Sequence, residues 1–111
     1  MIVSICIVTL NARYLLKKCI DSIPNAMAEL NYEIFIVDNN SSDGTKEMLQ
    51  TFYPKIILIQ NLKNEGYTKP MNQALEKAKG SYLLQLNPDT ILNYKSVSLL
   101  FQYMEANPKV G

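Results

Sequence analysis

The 111-residue sequence predicts a single α/β domain built on an open, mainly parallel sheet with helices on both faces. Three observations carry this. Short apolar runs rich in β-branched residues lack the in-out alternation of a half-exposed strand and so read as strands buried on both faces. Between them lie stretches whose apolar residues recur every three or four positions, the period of an amphipathic helix. The two kinds of segment alternate along the whole chain, and right-handed crossovers then leave the strands parallel.

The first strand is Ile2 to Thr9. From Asn11 onward, Leu16, Ile20 and Ile23 recur at helical spacing with Lys17, Lys18 and Asp21 between them. Pro24 is expected to end or kink this helix, and Met27 and Leu30 continue the spacing as a second short helix starting at the proline. Tyr32 to Val37 is the second strand, cut off by the polar run Asp38 to Gly44. Ser42 or Asp43 is expected to cap a helix reaching about Phe52, with Met48, Leu49 and Phe52 turned inward. Lys55 to Ile59 is the third strand and Tyr67 to Lys79 the third helix, with Gly80 as its terminator. Ser81 to Leu86 forms the fourth strand. A last helix from about Lys95 to Glu105 is expected to bury Val97, Leu100, Phe101 and Met104.

Composition narrows the function. Apolar residues make up 48% and charged residues 19%, ordinary globular usage. With 11 basic against 10 acidic residues, the net charge of +1 supplies no field to attract nucleic acid, so no nucleic-acid partner is expected. Histidine is absent, which removes Ser-His and Cys-His nucleophile pairs and every histidine metal site. Cys6 and Cys19 lack C-x-x-C spacing and read as reduced core residues. The opening apolar run is too short to span a bilayer and has no basic start, so a cytoplasmic location is the expectation, extending to the inner face of the membrane.

In open parallel sheets, ligands bind beyond the carboxyl ends of the strands, where strand order reverses. Those ends here are Thr9-Leu10-Asn11, Asp38-Asn39-Asn40, Gln60-Asn61 and Asn87-Pro88-Asp89, all polar. There is no G-x-G-x-x-G after the first strand and no G-x-x-x-x-G-K-[ST], which argues against a dinucleotide dehydrogenase or a P-loop NTPase. With only four glycines the chain cannot cradle a diphosphate mainly with backbone amides, and a cation is the natural substitute. Asp89, with Asn87 two residues before it, offers oxygens for a hard divalent ion, although Asn, Pro and Asp also make ordinary turns. Asp38 can accept a hydrogen bond from a base N–H or a ribose hydroxyl; its other reading is a loop or capping residue, a role that Asp43 and Thr45 fill better.

Taken together, Val3 to Asn11, Val37 to Thr45, Asn64-Glu65-Gly66-Tyr67 with Asn72, and Gly80 to Thr90 with its Asn87-Pro88-Asp89-Thr90 resemble inverting glycosyltransferases of family 2. The resemblance covers essentially the whole chain and is strongest to bacterial members that transfer rhamnose and similar sugars onto cell-surface polysaccharides. It implies a Rossmann-like sheet of the GT-A type, a UDP- or dTDP-sugar donor, a saccharide or lipid-linked acceptor, and a divalent cation, Mg²⁺ or Mn²⁺. On that model Thr9 and Asn11 lie against the nucleoside, Asp38 takes the N–H of a uracil or thymine ring, and Asn40 belongs to the same nucleotide-binding group. Asn64, Gly66 and Asn72 shape the floor beside base and diphosphate, Asn87 lies near the ribose, and Asp89 binds the ion. Arg13 or Lys69 can add positive charge toward the phosphates.

Three residues depart from the family pattern. Asn87 replaces the first aspartate of the strict D-x-D form, and Pro70 and Ala74 stand where small residues, often glycine, are expected. No residue is assigned as the catalytic base, which the resemblance places beyond residue 111. Residues 1–111 are therefore expected to be the N-terminal nucleotide-sugar-binding portion of a longer domain, inactive alone, with a bare sheet edge inviting self-association into a homo-oligomer. Two other classes compete. A non-catalytic α/β interaction domain would keep the fold and lose transfer, and a phosphate-accepting receiver module would need an acidic pair after the first strand, where Thr9-Leu10-Asn11 stands.

Overall fold

A computed structural model describes residues 2–107. Strands and helices alternate as β1 (Ile2–Thr9), α1 (Arg13–Ala26), β2 (Asn31–Asp38), α2 (Thr45–Phe52), β3 (Ile57–Gln60), α3 (Thr68–Lys77), β4 (Tyr82–Leu86) and α4 (Tyr94–Ala106). The sheet has the order β3-β2-β1-β4, with every pairing parallel. The chain steps outward from β1 to β3 and then crosses back to the other side of β1, so the order reverses between β1 and β4. That reversal opens the crevice in which such sheets bind ligands.

Burial on both faces explains the strand composition. Val3, Ile5 and Ile7 of β1 and Ile36 of β2 pack with Leu16, Cys19, Ile20 and Ile23 of α1, Met48 and Leu49 of α2, and Val97 and Phe101 of α4. Cys6, Phe35 and Val37 point the other way onto Met71 and Ala74 of α3. Three helices thus cover one face and one covers the other. Each fully buried Ile or Leu contributes roughly 1.5–3 kcal/mol relative to an exposed one. Tyr82 and Phe101 meet edge to face at 5.5 Å, tying α4 to β4. Both cysteines are free and buried. Desolvation, with Glu33 adding to it for Cys6 and Asp89 for Cys19, pushes each thiol up to about 11, which keeps both protonated and inert at neutral pH. No helix among the described residues is long and apolar enough to cross a membrane.

Four local expectations are corrected. Pro24 neither ends α1 nor starts a second helix: it sits inside the last turn, and a bond from Met27 N to Ile23 O closes the end, followed by a turn to Leu30. Burial of Ile23, Ala26 and Met27 outweighs the bond the proline cannot donate. Phe52 is 66% exposed, because the chain turns at Tyr53 and the tyrosine takes the inward place, its hydroxyl bonded to Asp21 and its ring beneath Lys17. Leu100 is 44% exposed; it lines an open groove with Leu84 of β4, which is an edge strand among the described residues. Gly80 does not terminate α3, which ends at Lys77. Its role is close approach: a Cβ there would lie 2.6 Å from Ser4 N and 2.7 Å from Ile2 O.

Candidate functional site at the carboxyl edge of the sheet

Register aligns the strand ends in one row. Thr9 pairs with Asp38, and Asp38 with Gln60. All three follow the alternation of Ile7, Ile36 and Leu58, so their side chains leave the same face. Each carries a buried side-chain oxygen without a hydrogen-bond partner: Thr9 Oγ1, Asp38 Oδ2 and Gln60 Oε1. Thr9 is 2% exposed and Asp38 wholly buried. Unpartnered buried polar atoms cost stability, and three in one row at the carboxyl edge leave oxygens that a ligand or an ordered water would satisfy.

The surrounding loops fix this row. Asp38 Oδ1 accepts from Ser41 N and from the Ser41 hydroxyl, which leaves Oδ2 free. Asn11, in a left-handed conformation at φ 49°, accepts from Ser42 N at 2.7 Å through Oδ1, while its own N–H donates to Ser41 Oγ. The turn after β1 is thereby stitched to the turn after β2. Asn40 is also left-handed, at φ 71°, and exposed.

Asp43 holds the start of α2, accepting from Thr45 N and the Thr45 hydroxyl, and from Arg13 N at 3.0 Å. Desolvation works against its ionised form, but these bonds prevail and hold the carboxyl below its ordinary value. Between the folded and unfolded values, the unfolded chain binds more protons, so this contribution is present above about pH 4 and is lost as pH falls through the folded value. Asp43→Ala is expected to cost about 1 kcal/mol at neutral pH. In urea titrations the difference from the unsubstituted chain should shrink steadily in acid; a difference independent of pH would contradict the assignment.

Beyond β3, Asn64 Oδ1 accepts from Gly66 N at 2.9 Å in a turn that takes Gly66 to φ +79°. Lys69 pairs with Glu65 at 3.1 Å on the surface. Asn72 is exposed on α3; its neighbour Gln73 is the residue that reaches the strand end, bonding Asn61. On the far side of the reversal, Asn87 and Asp89 are both exposed in the loop after β4, in a turn closed by Thr90 N to Asn87 O. That turn rests on α1, where the Cys19 thiol donates to Asn87 O at 3.9 Å. Among the described residues no three acidic, histidine or cysteine side chains converge, so a cation here would need oxygens from a ligand as well as Asp89. The Arg13 guanidinium lies over Gly44 and lines a groove of about 550 Å³ with Tyr14, Lys17 and Phe52, a lining that does not include Asp89.

Sequence reasoning placed Asn39, Gln60 and Asn61 among the polar strand ends but singled out none of them as a candidate site residue, and it gave no individual role to Ser41 or Gln73. Strand pairing alone would have exposed Gln60, because it stands level with Asp38.

The model of glycosyl transferase family 2 matches residues 4–111. A poly(ribitol-phosphate) beta-glucosyltransferase of Bacillus spizizenii is 30% identical over 95% of this chain and 17% of its own length. The abequosyltransferase RfbV of Salmonella typhimurium is 31% identical over 99% of this chain and 34% of its own. The chain therefore spans about a third or less of these relatives. Among solved structures, residues 1–349 of S. aureus TarS in complex with UDP-GlcNAc superpose with a TM-score of 0.81 at 24% identity, over 97% of this chain and 32% of that one. The mannosyltransferase PcManGT of Pyrobaculum calidifontis, in complex with GDP-Man and Mn²⁺, gives 0.83 at 22% identity, over 98% and 33%.

Proposed function

Because the chain belongs to glycosyl transferase family 2, we propose that it forms the donor-binding half of an inverting transferase that moves a sugar from a nucleoside diphosphate onto a saccharide or lipid-linked acceptor in cell-surface polysaccharide synthesis. The observation that carries the reading is the row of unpartnered oxygens on Thr9, Asp38 and Gln60 at the sheet's carboxyl edge. A nucleoside supplies what such a row lacks. Asp38 Oδ2 accepts the ring N–H of a uracil or thymine, and the Thr9 hydroxyl and Gln60 Oε1 offer further contacts in a buried setting where each bond counts more than in water.

The exposed Asp89 carboxylate suits a hard divalent cation, Mg²⁺ or Mn²⁺, whose remaining positions would be filled by diphosphate oxygens, water and the amide oxygen of Asn87. Such an ion, when bound, neutralises charge on the departing diphosphate. The chain's own task is to hold the donor: Asp38 and Thr9 orient the base, and the Gly66 turn borders it. The UDP-GlcNAc bound to TarS and the GDP-Man bound to PcManGT support a nucleotide-sugar donor.

Calorimetric titration of UDP and dTDP, first with Mn²⁺ and then with chelator, tests the proposal. Binding is expected with the ion and is expected to weaken on chelation. Asp89→Ala should abolish the difference between the two conditions while its unfolding midpoint stays close to that of the unsubstituted chain. Absence of binding by either nucleotide at millimolar concentration would overturn the reading in favour of a domain that keeps the fold without the chemistry.

A further inference from the structure

The polar groups just beneath the candidate site behave in the opposite way from the row of free oxygens. Asn39 is 4% exposed and Asn61 8% exposed, at the ends of β2 and β3. Asn61 Nδ2 donates to Asn39 Oδ1 at 3.0 Å and to Gln73 Oε1 at 3.1 Å, and Gln73 Nε2 donates back to Asn61 Oδ1 at 3.1 Å. Asn39 Nδ2 then donates to Gly66 O at 2.7 Å, and its Oδ1 also receives Glu65 N at 3.4 Å. Three side-chain amides therefore join the ends of two strands, the body of α3 and the turn at Gly66 into one network.

Apolar residues would pack the same space without needing partners, so packing alone does not account for amides here. What the amides add is direction. Asn39 follows Asp38 directly and points to the opposite face of the sheet, so a bond from Asn39 to Gly66 O sets where the turn stands relative to Asp38. Gly66 at φ +79° has no side chain and no neighbour within 4 Å of its would-be Cβ, leaving its carbonyl bond to Asn39 as an anchor for a turn with little packing of its own.

We propose that Asn39, Asn61 and Gln73 form a latch that pins the Gly66 turn beside the nucleotide site, making Asn39 a positioning residue for donor binding. The latch is a claim about this chain's geometry; its effect on nucleotide rests on the donor-binding reading above. Without the latch, the turn samples positions off the site and the nucleotide must order it on binding.

The test pairs two readouts on Asn39→Ala and Gln73→Met. Amide exchange followed by NMR is expected to quicken at Glu65 and Gly66 by about tenfold, with β1 amides unchanged, and UDP affinity is expected to fall by about tenfold in the Asn39 variant. Ile36→Val, on the opposite face of the sheet, serves as the control: it should lower the unfolding midpoint without moving either readout. Unchanged exchange at Glu65 and Gly66 in folded variants would overturn the latch. A freed turn with unchanged UDP affinity, or an equal affinity loss in Ile36→Val, would overturn the positioning role. If the unsubstituted protein binds no UDP, the donor reading and the positioning role fall together, while exchange still decides the latch. Should Asn39→Ala fail to fold, Gln73→Met, at a half-buried site, carries both readouts.

Discussion

Asp38→Asn is expected to weaken UDP or dTDP binding by about 10- to 100-fold, the worth of a hydrogen bond to a charged group, while leaving the domain as stable as before or more so. The substitution preserves shape and keeps an oxygen for Ser41, whose N–H and hydroxyl both bond Oδ1. Its whole effect falls on the second position, where the free Oδ2 acceptor becomes an NH₂ donor facing the N–H of the base. Stability should not suffer, because among the described residues no cation pairs with this wholly buried carboxylate and its removal relieves a desolvation cost. Loss of binding together with equal or greater stability is the pattern of a residue kept for a ligand. Calorimetry and urea unfolding on the same preparation decide it. Unchanged affinity would place the nucleotide elsewhere, and a large loss of stability would make Asp38 a structural residue.

Gly80→Ala is expected to be among the most damaging single-methyl changes in the chain, costing about 3 kcal/mol. The added carbon would meet backbone atoms, Ser4 N and Ile2 O, which cannot rotate away as a side chain can. The same residue donates its N–H to Ser4 Oγ at 2.8 Å, and Ser81 N donates to Ile2 O at 2.8 Å, so both bonds that seat the start of β4 on β1 would stretch. Ser4 also donates to Glu33, which accepts from Lys79 N, so the disturbance reaches β2. Urea unfolding measures the loss. A change below about 1 kcal/mol would mean that the entry to β4 is plastic.

The fold was legible because its signals are local. Mostly apolar runs such as Ile2 to Thr9 and Tyr32 to Val37 declare strands buried on two faces, and Leu16, Ile20 and Ile23 declare a helix within a few turns. Errors arose where a neighbour outside the window decided the outcome. Pro24 stays helical because Ile23, Ala26 and Met27 find a core to fill. Phe52 and Tyr53 exchange roles because Asp21 and Lys17 of α1 stand ready for a hydroxyl and a ring.

The same division runs through the candidate site. Strand termini and residue types, both visible along the chain, already place polar residues at four strand ends and make Asp38 and Asp89 the carboxylates closest to those ends. That Thr9, Asp38 and Gln60 share a row with a free oxygen on each, and that Asn39, Asn61 and Gln73 close a network behind them, emerges from the packing of the folded chain. Which polar atom is satisfied depends on strand register and loop contacts between residues about 12 to 30 positions apart. Pairings at that separation are set by the packing of the whole sheet and leave no periodic trace in the sequence.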